Sequence, residues 1–463
     1  MKKARWFFLV LILMILLIPA GLFQRAKNYY SDIDNRNLAE LSSPTDFDTL
    51  TRELKTYTNE RIGLRNEMIY TYNLLNMKLF GVFSHPDYEL GKNGEFFPDI
   101  IENQYYDAYR QTFVTALDKM NKYCEARGIK FYLLFDPNKI SIYPENMPEG
   151  VNYTSQWVED FFHGCDEIGL TYINNYEYFK EIKDEVKLYN SKEDVTHWND
   201  MGAFLGCNHA LRVIQKDFPA VEENRLEDME VGTELIHTLQ NSNYVIDETV
   251  PKIEMETTWV NQGEAEGAVL QKDSTFANFA HFVTTNEADK VKPKILAFEG
   301  SYMYGGNHHA FLIRQSSEYI TIHNYRNVLN LPYYVNVFQP DLIIFDVAEF
   351  VFAEYFFPSS IMGNMIYMPG LSELNYPEEA LESLQVEITE FTPEYKRIYA
   401  DVNTTEYPYA YVEFNGKVYD MEILDNRYHL ITLSANLSGA DRLKFYFADE
   451  NAKVIKTAEY ILP

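Results

Sequence analysis

Two stretches, "KPKILAFEG" (292–300) and "PDLIIFDVAEF" (340–350), are continuous apolar runs of strand length with a proline at their start. A strand with water on one face alternates polar and apolar residues. A run without alternation is what a parallel strand covered on both faces requires. "IKFYLLFD" (129–136) and "LTYIN" (170–174) are shorter strands of the same kind. Between them stand helical patterns, "YYDAYRQTFVTALDKMNKYCEARG" ending on Gly128 and "TSQWVEDFFHGCDEIG" ending on Gly169. Helices alternating with such strands from about residue 100 to 370 predict an α/β sandwich built on a mostly parallel sheet.

A chain of 463 residues is too long for one core. Residues 26–90 are polar with mixed three- and four-residue apolar spacing, which predicts one or two amphipathic helices in a membrane-proximal segment. Pro86, Gly91 and Asn93–Gly94 then break the helix and mark a hairpin. Residues 91–370 form the main α/β unit, and within it the acidic stretch 217–290 has weak periodicity and reads as an excursion from the sheet or a lid. A linker is expected over 371–384. From 385 to 463 the helical pattern is lost, and "YAYVEFNGKVYDMEI" places two strands around Asn415–Gly416, a type I′ turn signal. That end is expected to be a small β-sandwich, a candidate glycan-binding or docking module.

The N-terminus carries Lys2, Lys3 and Arg5 before an uncharged apolar run from Trp6 to Phe23. As a helix this run rises about 27 Å, close to the hydrocarbon thickness of a bilayer. No small-residue cleavage site follows it, so residues 1–25 read as a signal anchor with the N-terminus inside and the rest of the chain extracytoplasmic, although Arg25 and Lys27 reduce the charge asymmetry. A net charge of −29, with no clustered Lys and Arg standing out, argues against a nucleic-acid partner. The three cysteines, Cys124, Cys165 and Cys207, match no metal spacing and read as small buried hydrophobes. No phosphate-cradling loop and no His/Asp cluster is present, so neither cofactor nor metal is expected.

"EDVTHWNDMGAFLG" (193–206) raises the question of chemistry. Asp194 precedes His197 by three residues, a spacing at which a carboxylate can hold an imidazole in one tautomer. Acyl transfer would also need an activated hydroxyl. In open α/β sheets such groups sit at the carboxyl ends of strands, and there "KILAFEGSYMYGGN" offers Ser301 directly after a strand. Gly300 would permit a tight turn, although the usual glycine–x–serine–x–glycine pattern is absent. Other readings stay open: Asp194 as a cap for a helix beginning near Asn199, His197 as a structural hydrogen bonder, and His308 or His309 as the base.

"DVTHWNDMGAF" resembles the Asp–His–Trp signature of the membrane-anchored SGNH-hydrolase-like proteins that O-acetylate bacterial polysaccharides, as in alginate acetylation. "NRNLAEL" (35–41), "NERIGLRN" (59–66) and "KLFGVFSHPDYELGKNGEFF" (78–97) resemble the segment before that family's catalytic domain. "FDPNKISIYPENMP" (135–148) is similar to its first strand and following loop, and "ILAFEGSYM" and "PDLIIFDVAEF" stand where it has its serine-bearing and late strands. The resemblance implies an SGNH-hydrolase-like three-layer sandwich, with Ser301 as nucleophile, His197 as general base and then acid, and Asp194 orienting His197. The chain departs from the family at Val195, where Asp is common, and at Glu299, where the family has Gly–Asp–Ser rather than Glu–Gly–Ser. The Ser301 N–H, Asn138 and Asn307 are candidate oxyanion donors. Lys139 would contact an anionic sugar or pair with an acid, and Trp198 and Tyr302 would form a sugar-stacking wall or pack in the core. The implied activity is transfer of an acetyl group to a cell-surface polysaccharide, beside a multi-pass membrane O-acyltransferase that supplies the acetyl. The same triad would serve a carbohydrate esterase or deacetylase, and a non-catalytic glycan-binding assembly protein is the reading from another class.

Overall fold

The computed structural model describes the chain apart from residues 1, 32–35, 43–45, 84, 86–87, 99–106, 149, 151–152, 240–243, 264–269, 271, 273–277, 371–378 and 382. Most of the expected linker at 371–384 therefore lies outside the described residues. The N-terminal helix α1 (Lys2–Gly21) exposes its apolar side chains from Trp6 to Met14. Among the described residues, no helix is long and apolar enough to cross a membrane.

After α1, a short pair of strands, β1 (Tyr30–Ser31) and β2 (Arg36–Asn37), leads to helices α2 (Phe47–Arg61) and α3 (Arg65–Phe80). Asp46 caps α2 by accepting the Thr49 N–H at 2.7 Å. Arg61 ends α2 buried, and its guanidinium donates to the carbonyls of Ala26 (2.7 Å) and Ala39 (3.0 Å) and to the Glu40 carboxylate (2.6 Å). One side chain thus ties Ala39 and Glu40 of "NRNLAEL" to "NERIGLRN". The hairpin expected around residues 88–98 follows as β3 (Tyr88–Leu90) and β4 (Phe96–Pro98), joined through a 3-10 turn in which Asn93 and Gly94 both have positive φ.

Helix α4 (Asp107–Glu125) then feeds β5 (Lys130–Asp136), the short helix α5 (Lys139–Ile142), helix α6 (Gln156–Glu167), β6 (Thr171–Asn174), α7 (Asn175–Ile182) and α8 (Asp200–Ile214). A long hairpin, β7 (Glu230–Thr238) and β8 (Val245–Glu254), forms a separate two-stranded sheet among the described residues. The main sheet resumes with β9 (Trp259–Asn261), β10 (Phe279–Thr284), β11 (Lys294–Glu299), β12 (Glu318–His323) and β13 (Leu342–Ala348). Its seven strands run in the order β6-β5-β13-β11-β12-β10-β9. The first five are parallel, and β10 and β9 add antiparallel edge strands. The acidic stretch from residue 217 therefore splits: part is the separate hairpin, part extends the sheet. Every residue of β13 is buried, as its unbroken apolar pattern requires. The fold is thus mixed α/β with a large, mostly parallel sheet.

The C-terminal segment holds two antiparallel four-stranded sheets. One contains β14 (Gln385–Glu390), β15 (Tyr395–Asp401), β18 (Glu422–Leu424) and β19 (Arg427–Leu433). The other contains β16 (Tyr409–Phe414), β17 (Lys417–Asp420), β20 (Arg442–Ala448) and β21 (Val454–Ile461). Both contribute to one core, with Ile398 and Leu430 from the first and Val412 and Phe445 from the second. Asn415 and Gly416 both take positive φ at the β16–β17 turn, which is the reason for that dipeptide.

Asp420, at the end of β17, joins this segment to α4. It accepts from the Tyr123 hydroxyl at 2.8 Å and the Arg127 guanidinium at 3.0 Å, and that guanidinium lies 3.6 Å over the Tyr123 ring. All three are largely buried, so removing the anion strands a guanidinium and a phenol away from water. Asp420→Ala is expected to lower the unfolding free energy by about 3 kcal/mol or more, measured by denaturant titration.

Candidate active site

The carboxyl ends of the parallel strands carry the chemistry-bearing residues. Strand β11 ends at Glu299 and passes through Gly300 into a single helical turn, Ser301–Tyr304. Gly300 is extended (φ −101°), so its role is not to open a left-handed turn. A Cβ there would approach the Tyr325 ring to 3.1 Å, a tight contact that the ring could meet only by shifting a few tenths of an ångström.

His197 reaches the same place from the loop before α8. Its Nε2 lies 2.9 Å from Ser301 Oγ, and its Nδ1 lies 2.8 and 3.0 Å from the two oxygens of Asp194. Ser301 donates to an unprotonated Nε2 while Nδ1–H donates to the carboxylate, so the three groups form one chain of hydrogen bonds. Helix α8 is capped instead by Asn199, whose side chain accepts the Gly202 N–H at 2.9 Å. The capping alternative for Asp194 is thereby removed. Gly206 lets the helix meet Trp198, since a Cβ would lie 2.7 Å from that ring.

Asp194 has a positive φ of 35°, an uncommon state for a residue with a side chain. The loop that holds it there is pinned by Glu248 on the β7–β8 hairpin. The Glu248 carboxylate accepts three consecutive backbone N–H groups, from Ser191 (2.6 Å), Lys192 (2.8 Å) and Glu193 (2.8 Å). From the same strand, the Ile253 N–H donates to Asp200 in the first turn of α8 at 2.8 Å. Glu193 stands beside the site as well: burial, then the Asp194 charge, push its carboxyl up to about 7.

Of the two readings open for Lys139, Trp198 and Tyr302, the acid pair and the core hold, and none of the three faces a sugar. Lys139 is 1% exposed, and its ammonium donates into Glu95 (2.8 Å) and the carbonyls of Phe96 (2.7 Å), Asn190 (2.7 Å) and Ser191 (3.0 Å). With only three N–H groups it has none left for a ligand, and burial lowers its pKa to about 8. Trp198 is 2% exposed and its indole N–H points at the Tyr302 carbonyl and His308. Tyr302 is fully buried, with its hydroxyl 2.7 Å from the Thr196 carbonyl and 3.0 Å from that of Pro137. Both rings pack in the core, the Tyr302 ring edge-on to His197 at 5.1 Å, and the Tyr302 hydroxyl holds the backbone of the residue before His197.

Asn138, after β5, is half-buried with its side-chain oxygen 3.4 Å from the Tyr302 hydroxyl, while its N–H donates to Glu349 at 2.8 Å. Asn307 is exposed on the turn Gly305–Asn307 that follows Ser301. The rival histidines are occupied elsewhere. His308 sits between the Tyr302 carbonyl (2.9 Å) and Asp200 (3.2 Å), and His309 lies 3.0 Å from Glu299. Glu299, which departs from the family pattern, is buried and also accepts from the Tyr319 hydroxyl at 2.5 Å. It is a core hydrogen-bonding group and not a neighbour of the serine's hydroxyl chain. Among the described residues, no group of three or more His, Cys, Asp or Glu side chains is arranged to hold a metal ion.

No protein-family model and no curated protein matches the chain. Several solved structures do. The O-acetyltransferase domain of Pseudomonas putida AlgJ is 12% identical, with 60% of this chain and 99% of that one covered and a TM-score of 0.41. PatB1 of Bacillus cereus is 14% identical over 57% of this chain and 96% of its own, with a TM-score of 0.45. A DHHW family protein from Eubacterium siraeum is 13% identical over 59% and 98%, with a TM-score of 0.41. Likeness at this level carries no functional weight, and an activity has to be read from Asp194, His197 and Ser301 themselves.

Proposed function

We propose that the chain is an O-acetyltransferase that moves an acetyl group through Ser301 to a hydroxyl of an extracytoplasmic polysaccharide. The observation that carries this reading is the unbroken Asp194–His197–Ser301 hydrogen-bond chain at the carboxyl end of a parallel sheet. His197 Nε2 takes the Ser301 proton as Oγ attacks the acetyl carbonyl, and Asp194 holds Nδ1–H and stabilises the imidazolium that forms. The tetrahedral intermediate collapses to acetyl-Ser301 as the donor's leaving group takes the proton from Nε2. In the second half, Nε2 deprotonates a sugar hydroxyl, which attacks the ester, and Ser301 leaves with the proton. The Ser301 N–H, with Asn138 or Asn307, would receive the developing oxyanion.

Support for transfer over hydrolysis comes from the motif resemblance at "DVTHWNDMGAF" and the segments around it. The SGNH-type three-layer layout belongs to the same proposal. So does the division into an anchor (1–25), a membrane-proximal segment (26–90), a catalytic domain (91–370), a linker (371–384) and a C-terminal module (385–463). The anchor and an extracytoplasmic location are supported by the basic residues ahead of the apolar Trp6–Phe23 run. A membrane-bound acyltransferase as acetyl donor is the implied partner.

The reading is tested by supplying an activated acetyl ester with and without acetylatable oligosaccharides. Acetylated sugar appearing at the expense of free acetate supports transfer. Acetate release that no sugar changes points to an esterase, and no turnover at all points to a binding protein. Glu248→Ala is expected to lower turnover by about 10- to 100-fold with a smaller change in KM, because the Asp194 loop loses its three anchoring bonds. Steady-state kinetics on the same ester checks it.

A further inference from the structure

Two buried acids are not used by this mechanism. Asp136 and Asp346 lie on the adjacent parallel strands β5 and β13, and Asp346 pairs in register with Leu134, so both project from the same face of the sheet. Both are fully buried. Asp346 accepts the Gly300 N–H through Oδ2 at 2.9 Å, and Asp136 accepts from the Asn175 side-chain amide through Oδ1 at 3.1 Å. The Asn175 carbonyl in turn faces His209 Nδ1 at 2.9 Å. The other two oxygens, Asp136 Oδ2 and Asp346 Oδ1, have no partner as carboxylate acceptors, although the two side chains lie within hydrogen-bonding reach of each other.

Among the described residues, no positive charge offsets either carboxyl. Glu299 lies near enough to raise Asp346 further. The remaining titratable neighbours, Cys207, Tyr189, Tyr302, Tyr319 and Tyr325, are all shifted upward by burial and stay neutral. Two carboxylates in a low-dielectric interior beside a third acid do not both ionise. A single proton held between the two carboxyls would give these orphan oxygens a partner and leave the pair with a single negative charge.

We propose that Asp136 and Asp346 share one proton beneath the Ser301 turn, and that Asp346, so fixed, is a positioning residue that holds the Gly300 N–H and with it the place of Ser301 Oγ. The pair's own pH dependence follows from linkage. Burial, and for Asp136 also the Asp346 charge, hold these carboxyls above their ordinary range. The unfolded chain releases the proton near pH 4, at about the ordinary carboxyl value, while the native protein keeps it. Above that pH the native state binds more protons than the unfolded state, so this pair makes stability fall as pH rises until its proton is lost.

The test compares the full-length protein with Asp136→Asn and Asp346→Asn, in each of which an amide N–H replaces the shared O–H. Infrared difference spectra at neutral pH are expected to show the carbonyl stretch of a protonated carboxylic acid in the wild type and its loss in both variants. The Tm of each Asn variant is expected to match wild type in acid and to exceed it increasingly as pH rises, until the pair loses its proton. An unchanged carboxylic-acid band, or Asn variants with the wild-type slope of Tm against pH, overturns the shared proton. The positioning role rests on the acyl-enzyme reading of Ser301. Asp346→Ala is expected to lower kcat about tenfold or more with KM little changed. Asp346→Asn, which still accepts the Gly300 N–H, restores most of that loss. A raised KM with kcat unchanged overturns the positioning role. If the wild type turns over no acetyl ester, the acyl-enzyme reading and this positioning role fall together, while the infrared and thermal comparisons still decide the shared proton.

Discussion

Ser301→Ala is expected to lower turnover of an activated acetyl ester by about 1,000-fold or more, with the fold and Tm close to wild type. Removing one half-buried hydroxyl costs little packing. It deletes the hydroxyl that His197 Nε2 bonds, and with it the atom that carries the acetyl group between the two half-reactions. Binding of the ester should persist, so the loss falls on kcat. Steady-state and single-turnover kinetics with the same ester check this. A variant within a few-fold of wild type would place the chemistry elsewhere.

The second large effect is expected at Asp194, and the choice of replacement matters. Asp194→Asn keeps the shape but offers His197 Nδ1 either an amide N–H or an amide oxygen. With the N–H facing Nδ1, the imidazole proton moves to Nε2, which then cannot accept from Ser301. Turnover is expected to fall by about 1,000- to 10,000-fold, at least as far as in Asp194→Ala, where water can take the place of the carboxylate. That water is available because the Asp194 side chain is 39% exposed. Comparing kcat for the two variants checks the tautomer argument. If Asp194→Asn were the more active of the two, the carboxylate would not be setting the imidazole's proton.

Much of this site was legible in the residues. The unbroken apolar run of β13 required burial on both faces, and "ILAFEGS" placed a hydroxyl at the end of such a strand. Asp–x–x–His put an acid within reach of an imidazole one turn of backbone away. What was not legible depended on contacts between segments distant in sequence. Glu248 lies in a stretch with weak periodicity, and its role exists only because the β7–β8 hairpin folds back over residues 191–193. Lys139, Trp198 and Tyr302 carry polar tips that suit a sugar site, yet each tip finds a buried protein partner, which no local pattern announces. Gly300 was expected for its backbone freedom, yet it is extended, and Tyr325 packs closely on it. One signal was present and unread: Asp136 and Asp346 are acids within otherwise apolar strands, and an acid in such a place needs a partner.

The most direct measurement is mass spectrometry of the protein after brief exposure to an activated acetyl ester. An acetyl group on the peptide carrying Ser301, absent from Ser301→Ala and greatly reduced in His197→Ala, is the expected result. An unmodified Ser301 peptide in protein that still consumes the ester, or an acetyl group carried by another residue with the same His197 dependence, would contradict the account.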